Sequence, residues 1–228
     1  GPARHAIPAS AHHTFERAYP FGWLGVLVEA PQSAPELIYA SHDEGFCLIS
    51  TRSPEVQRMY LQCPPSDSPA AWSDDRIWSA LHARVSASDF SLIEGKIFQK
   101  GIIQMHSRVA EPMQHGRLFL AGDAAHVVPP TGAKGLNLAV ADAFLLSRAL
   151  SSFYASSSRA LLDAYSATAL ARVWRAQHFS WWMTSLLHRF ENAQEFDRRR
   201  QRAELEMLAA SPAAQALLAE NYVGLPLP

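Results

Sequence analysis

Up to Cys63 the apolar positions come in short runs. Phe21 to Ala30, Glu36 to Ser41, Gly45 to Thr51 and Gln57 to Cys63 are rich in Val, Ile, Leu and aromatic residues, and Pro, Gly, Asp and Ser separate them. Runs of this length and punctuation predict the strands of an antiparallel meander. With a strand period of two, Phe46, Leu48, Ser50 and Arg52 share one face of the third strand, and Arg58 and Tyr60 share a face of the fourth. Trp72 to Trp78 opens a helix, with Ser73 as N-cap and Asp74 and Asp75 in its first turn. Arg117 to Ala121 has the length of a buried strand. After it Leu136, Ala139, Val140, Ala143, Leu146, Leu150 and Phe153 recur at helical spacing. Ser151 to Ser158 reads as a Ser/Ala-rich connector, and Ser158 caps a helix through Arg175 that continues towards Phe190. There Phe179, Trp182, Met183, Leu186, Leu187 and Phe190 form a packing stripe for the sheet or a second subunit. Pro212 marks a break.

Proline and glycine sharpen this division. Twelve of 15 prolines and ten of 11 glycines precede Leu136, and neither residue occurs between Leu136 and Ser211. The first part is therefore strand and turn and the second helical. The class is α+β, with segments at 1–18, 19–115, 116–155 and 156–228.

Composition narrows the function. With 228 residues and 48% hydrophobic content the chain buries a real core, which excludes a disordered class. A formal charge of −1 gives no electrostatic case for nucleic acid or an anionic membrane. The apolar runs are short of a membrane span and the first residues lack a signal-peptide pattern, so a cytoplasmic location is expected. Cys47 and Cys63 are two reduced core residues rather than a disulfide framework. His178 and His188 are ten apart with no carboxylate at metal spacing, so no metal site is assigned. Arg198 to Arg202, followed by Glu204 and Glu206, reads as a solvated helix face.

Two stretches carry candidate chemistry. In Gly122-Asp123-Ala124-Ala125-His126-Val127-Val128-Pro129-Pro130-Thr131-Gly132-Ala133-Lys134-Gly135-Leu136-Asn137, an acidic turn and a Pro/Gly loop lead into a helix. Such a loop presents free N–H groups and the positive end of a helix dipole, where electron-rich ligands bind. Asp123 can accept hydrogen bonds from sugar-like hydroxyls. The second stretch is the strand pair that sets Ser50, Arg52, Arg58 and Tyr60 side by side. One arginine clamps a carboxylate with two parallel hydrogen bonds and a second reinforces the preference for an anion. An exposed hairpin with solvated arginines has the same local pattern.

The string Gly122 to Asn137 resembles the second flavin-binding motif of the FAD-dependent aromatic hydroxylases, the class A flavoprotein monooxygenases. The resemblance implies FAD as cofactor and NADPH or NADH as electron donor. Asp123 would bind the ribityl chain, and the backbone of Gly132, Lys134, Gly135, Leu136 and Asn137 would face the pyrimidine end of the isoalloxazine. Pro130 and Thr131 would lie where flavin and substrate meet, with the Pro130 carbonyl region positioning the attacked carbon. Ser50, Arg52, Arg58 and Tyr60 match the residues that hold the carboxylate of 4-hydroxybenzoate, Arg58 also neighbouring the flavin. In the shared stretch Tyr19 to Gly25, Trp23 walls the ring pocket or simply packs in the core. Tyr39 would polarise the phenolic oxygen and Tyr222, in the tail Glu220 to Pro226, would pass the phenol's proton outward. A phenolate attacks activated oxygen far better than a phenol, and the product would be 3,4-dihydroxybenzoate. Arg4 matches an NADPH-contacting arginine, and His106 stands where a second is expected. The family is commonly homodimeric.

The chain holds no Gly-x-Gly-x-x-Gly and so no seat for the ADP part of FAD. It is expected to be the C-terminal part of such an enzyme, without the Rossmann-like unit and inactive alone. A sister phenolic-acid hydroxylase, or a non-catalytic chain that binds aryl acids or dimerises, are the competing readings.

Overall fold

The computed structural model describes residues 6–87 and 89–227. Contacts group them into two units: Tyr19–Met105 with Ser185–Arg202, and the remaining described residues.

The first unit is built on an antiparallel sheet. Its strands are β1 (His13–Glu29, from Tyr19 onward), β2 (Ile38–Ala40), β3 (Cys47–Ser53), β4 (Val56–Cys63) and the first part of β5 (Lys96–Glu111), in the order β2-β3-β4-β1-β5. This corrects the expected meander: β1 pairs with β4, from Gly22↔Cys63 to Glu29↔Val56, and not with β2. The link between β1 and β2 carries Pro31 and Pro35. It cannot close a tight hairpin, and it leads the chain past the β3–β4 pair to the far edge.

One face of this sheet carries Leu24, Val26, Val28, Cys47, Ile49, Met59 and Leu61 and packs against Ile77, Leu81 and Val85 of α1 (Asp74–Val85). Ser73 caps α1 as expected, its hydroxyl accepting the Arg76 N–H at 3.2 Å. Burial of each large aliphatic side chain contributes about 1.5–3 kcal/mol. Burial also pushes the Cys47 thiol up to about 12, and burial with the nearby Asp67 charge pushes Cys63 up to about 11. Both are free, buried cysteines.

The opposite face is aromatic. Phe21, Trp23, Phe46 and Tyr60 are buried on it, and the end of α3 (Ala160–Leu187, from Ser185 onward) with the following turn lies over them. Gln62 of β4 fastens that turn. Its carboxamide oxygen accepts the Arg189 N–H at 3.0 Å, and its nitrogen donates to the Arg189 carbonyl at 2.6 Å.

The second unit starts from the end of β5, where Arg108↔Val127 and Val109↔His126 join it to β8 (His126–Val127). A two-stranded ladder of β6 (Gln114–His115) and β7 (Leu118–Phe119) precedes the loop. Only these two residues of the run Arg117 to Ala121 are strand. Leu120 instead donates its N–H to the Met113 carbonyl, and its own carbonyl accepts the Tyr165 hydroxyl, both at 2.8 Å. The helices are α2 (Gly135–Ser156), α3 as far as Thr184, α4 (Glu195–Ala210, from Ala203) and α5 (Pro212–Val223). Ser211 caps α5 with Pro212 in its first turn, at the predicted break.

Helix α2 departs from the sequence reading in three ways. Its buried residues are Leu138, Ala141, Asp142 and Ala149, whereas Leu136, Val140, Ala143 and Leu150 of the predicted stripe are exposed. The reason is Asp142, whose buried carboxylate accepts the Gly122 N–H and bonds the His126 ring, which keeps that side of the helix inward. Helix also runs through Ser156, absorbing most of the expected connector. And its 22 residues are long and apolar enough to cross a membrane by length and composition, contrary to the expectation of shorter runs. Here its Leu138 belongs to the buried cluster that also holds Val109, Leu120 and Ala125.

Candidate functional site

Strand register assembles one candidate site within the sheet unit. Tyr39 pairs with Leu48, Leu48 with Tyr60, and Tyr60 with Gly25, so these four positions form one rung across β2, β3, β4 and β1. Ser50 pairs with Arg58 two residues further along the β3–β4 pair, and Trp23 lies two residues before Gly25. Paired and alternate residues face the same way. Tyr39, Ser50, Arg58, Tyr60 and Trp23 therefore share the aromatic face.

The side chains are closely fitted. Tyr60 is buried beneath the Arg58 guanidinium, whose carbon lies 5.0 Å from the ring centroid, within cation–π range. The Trp23 ring lies 5.0 Å from both Phe46 and Tyr60. Gly25 makes room for Tyr60: a Cβ there would sit 2.8 Å from the Tyr60 ring. The Ser50 hydroxyl donates to the Arg58 carbonyl at 3.0 Å. Arg52 is exposed at the irregularity where the β3–β4 register shifts between Thr51 and Ser53. Among the described residues neither Arg52 nor Arg58 is in an ion pair. Tyr39 is half-buried, its ring 6.0 Å from Phe46.

A separate candidate is the loop in the other unit. Gly122 has φ +57°, a conformation glycine adopts without steric cost, and it starts the tight turn that exposes Asp123. Arg108 donates to the Asp123 carbonyl at 2.8 Å. Beneath the turn, Asp142 accepts the Gly122 N–H at 2.9 Å and bonds the His126 ring at 2.7 Å. Pro130 is exposed, whereas the Thr131 side chain is wholly buried with its hydroxyl 2.8 Å from that of Thr184. Gly132 lies against Phe179 and Ser180, where a Cβ would be about 3.0 Å from the ring. The Lys134 ammonium donates to the Tyr222 carbonyl and lies 5.2 Å from the Phe179 ring and 5.5 Å from the Tyr222 ring. Burial lowers its pKa from the usual lysine range.

Gly135, Leu136 and Asn137 form the exposed first turn of α2, which has no side-chain cap. Their N–H groups, at the positive end of a long helix, suit the carbonyl and ring-nitrogen acceptors of a flavin, and exposed Asp123 suits ribityl hydroxyls. The residues present thus fit the loop's expected ligand. A cavity of about 250 Å³ opens beside this turn, lined by Lys134, Asn137, Leu138, Arg172, Asn221 and Gly224 among others. Tyr222 packs edge-on against Phe179 at 5.9 Å. His106 is exposed on β5, and Arg4 lies outside the described residues. Among the described residues no group of three His, Cys, Asp or Glu could hold a metal ion.

Sequence reasoning missed three supporting residues. His188 is buried on the aromatic face, Asp142 underlies the acidic turn, and Gly25 accommodates Tyr60. Only Asp142 had a local signal, an acid on the inner side of an otherwise apolar helix.

A family model described as FAD binding domain matches residues 1–180, and the chain belongs to that family. Within it, the chain is 51% identical over 227 residues to the p-hydroxybenzoate hydroxylase of Acinetobacter baylyi, covering 99% of this chain and 56% of that protein. It therefore spans just over half the length of this relative. It is also 49% identical over 63 residues to aklavinone 12-hydroxylase RdmE of Streptomyces purpurascens, covering 27% of this chain and 12% of that protein. Among solved structures, p-nitrophenol 4-monooxygenase PnpA from Pseudomonas putida DLL-E4 shares the fold with a TM-score of 0.70 at 19% identity, over 95% of this chain and 57% of that one.

Proposed function

We propose that the chain carries the substrate face and the flavin-facing loop of an FAD-dependent monooxygenase that hydroxylates 4-hydroxybenzoate to 3,4-dihydroxybenzoate, with NADPH or NADH as electron donor. The observation that carries this reading is Arg58, paired with Ser50 and without a protein carboxylate on it among the described residues, with the exposed Arg52 two positions beyond Ser50 on the same strand. A half-buried cation without a counter-ion favours an anionic ligand. Trp23 and Tyr60 beside it favour a flat ring.

On this reading Arg58, Arg52 and Ser50 bind the carboxylate, with each charge-assisted hydrogen bond contributing about 1.5–3 kcal/mol. The ring lies along Trp23 and Tyr60. Tyr39 accepts a hydrogen bond from the phenol and draws its proton away, which raises the nucleophilicity of the ring carbon beside the hydroxyl. Tyr222→Phe tests separately whether Tyr222 passes that proton on. Asp123 and the N–H groups of Gly135, Leu136 and Asn137 would hold FAD. Bound FAD supplies the oxygen activation; the chain supplies orientation and proton control.

The test is a titration of the chain with 4-hydroxybenzoate, benzoate and phenol, following tryptophan fluorescence. Tightest binding of 4-hydroxybenzoate supports the reading, and equal or absent binding of all three contradicts it. A second reading, an aryl-acid-binding chain without turnover, is favoured by the lack of any Gly-x-Gly-x-x-Gly in the 228 residues. It predicts the same binding with no hydroxylation when FAD and NADPH are added.

A further inference from the structure

We propose that His188 is a positioning residue for the ring pocket, acting through Trp23. The inference rests on the reading of the aromatic face as an aromatic-acid site.

The Trp23 indole N–H donates to His188 Nε2 at 2.7 Å, between two side chains that are each almost wholly buried. An indole nitrogen only donates. His188 Nε2 is therefore the unprotonated nitrogen, and the imidazole is neutral with its proton on Nδ1. The ring is fixed on its own account. It stacks on Phe46 at 4.3 Å and 24°, and on Phe21 at 4.7 Å and 12°. Its plane is nearly parallel to that of the indole, at 2°. Gln62 grips the next residue, Arg189, by both its N–H and its carbonyl, so the backbone carrying His188 is tied to β4.

A fixed acceptor has a definite consequence for Trp23. Packing alone lets an indole turn over within a flat slot, because both orientations fill similar volume. A buried N–H without an acceptor costs about 1–3 kcal/mol, which selects the orientation facing His188. That orientation sets how the indole meets Tyr60, whose ring centroid lies 5.0 Å away, and Tyr60 in turn carries the Arg58 guanidinium. His188 thereby holds the wall of the pocket next to the carboxylate clamp, through Trp23 and Tyr60. Its place in the sequence, 165 residues from Trp23, hides the relationship from any local pattern.

The experiment uses the 228-residue chain with His188→Leu, which removes the acceptor, and His188→Gln, which keeps one. The Trp23 indole N–H resonance in ¹⁵N-labelled protein reports the bond, and a titration with 4-hydroxybenzoate reports the pocket. The expected result is a displaced, fast-exchanging indole resonance and about tenfold weaker binding in His188→Leu. His188→Gln should restore most of both. In a Trp23→Phe background the His188→Leu change should have no further effect on binding. An unchanged indole resonance, unchanged affinity in His188→Leu, or an equal loss in the Trp23→Phe background would each overturn the inference alone. No binding by the unsubstituted chain would overturn the aromatic-acid reading and the inference with it.

Discussion

Asp142 bonds the His126 ring at 2.7 Å, and the same carboxylate oxygen accepts the Gly122 N–H at 2.9 Å. Both side chains are 2% exposed. One oxygen on a helix thus holds the start of the acidic turn and the strand that follows it. Asp123 reaches the surface because its neighbours on both sides are pinned from below.

Removing this carboxylate leaves a buried imidazole and a buried backbone N–H unsatisfied. Each such group costs about 1–3 kcal/mol, so Asp142→Ala should lower unfolding free energy in urea by about 2–6 kcal/mol. Asp142→Asn keeps an acceptor and should lose less. A loss below about 1 kcal/mol in Asp142→Ala would show that the turn is held by other means.

Gly25 bears on the pocket through space alone. A methyl group at this position would lie 2.8 Å from the Tyr60 ring, which packs against Trp23 and has little room to retreat. Gly25→Ala should cost about 1–3 kcal/mol of stability by overpacking and weaken binding of 4-hydroxybenzoate. Wild-type affinity together with wild-type stability would mean that the Tyr60 ring moves freely.

What the sequence revealed and what it hid follow from the range of the interactions. Alternation along β3 and β4 placed Ser50, Arg58 and Tyr60 on one face, because a strand's period is local. Ser73 at the start of α1 and Pro212 at the start of α5 were legible for the same reason. The pairing of β1 with β4 was not, since it depends on where a long loop delivers the next strand. The inward face of α2 was misread because hydrophobicity placed Leu136 and Val140 inside, whereas two hydrogen bonds to Asp142 decide the matter. Thr131 was read as facing a substrate, but its side chain bonds Thr184, which leaves the backbone as the part that could meet a ligand.

The cysteines give a pH dependence of known sign. Burial raises the Cys47 thiol to about 12 and the Cys63 thiol to about 11, from 9.0. Below about pH 8 both states hold their protons and stability is unaffected. Above the unfolded value the unfolded chain releases protons that the folded chain retains, so stability falls as pH rises. The urea midpoint should drop between pH 8 and about pH 10, and it should drop less in the Cys47→Ala/Cys63→Ala variant. Equal drops would mean that the thiols ionise as readily in the fold as outside it.

The most direct test of the carboxylate clamp compares Arg58→Met with the unsubstituted chain, because methionine retains much of the apolar stem over Tyr60 and removes the charge. Affinities for 4-hydroxybenzoate and for phenol are measured side by side by tryptophan fluorescence. The clamp predicts a loss of at least about tenfold for 4-hydroxybenzoate, with phenol little changed, as expected for one charge-assisted pair. Equal weakening of both ligands, or unaltered binding of the acid, would contradict it.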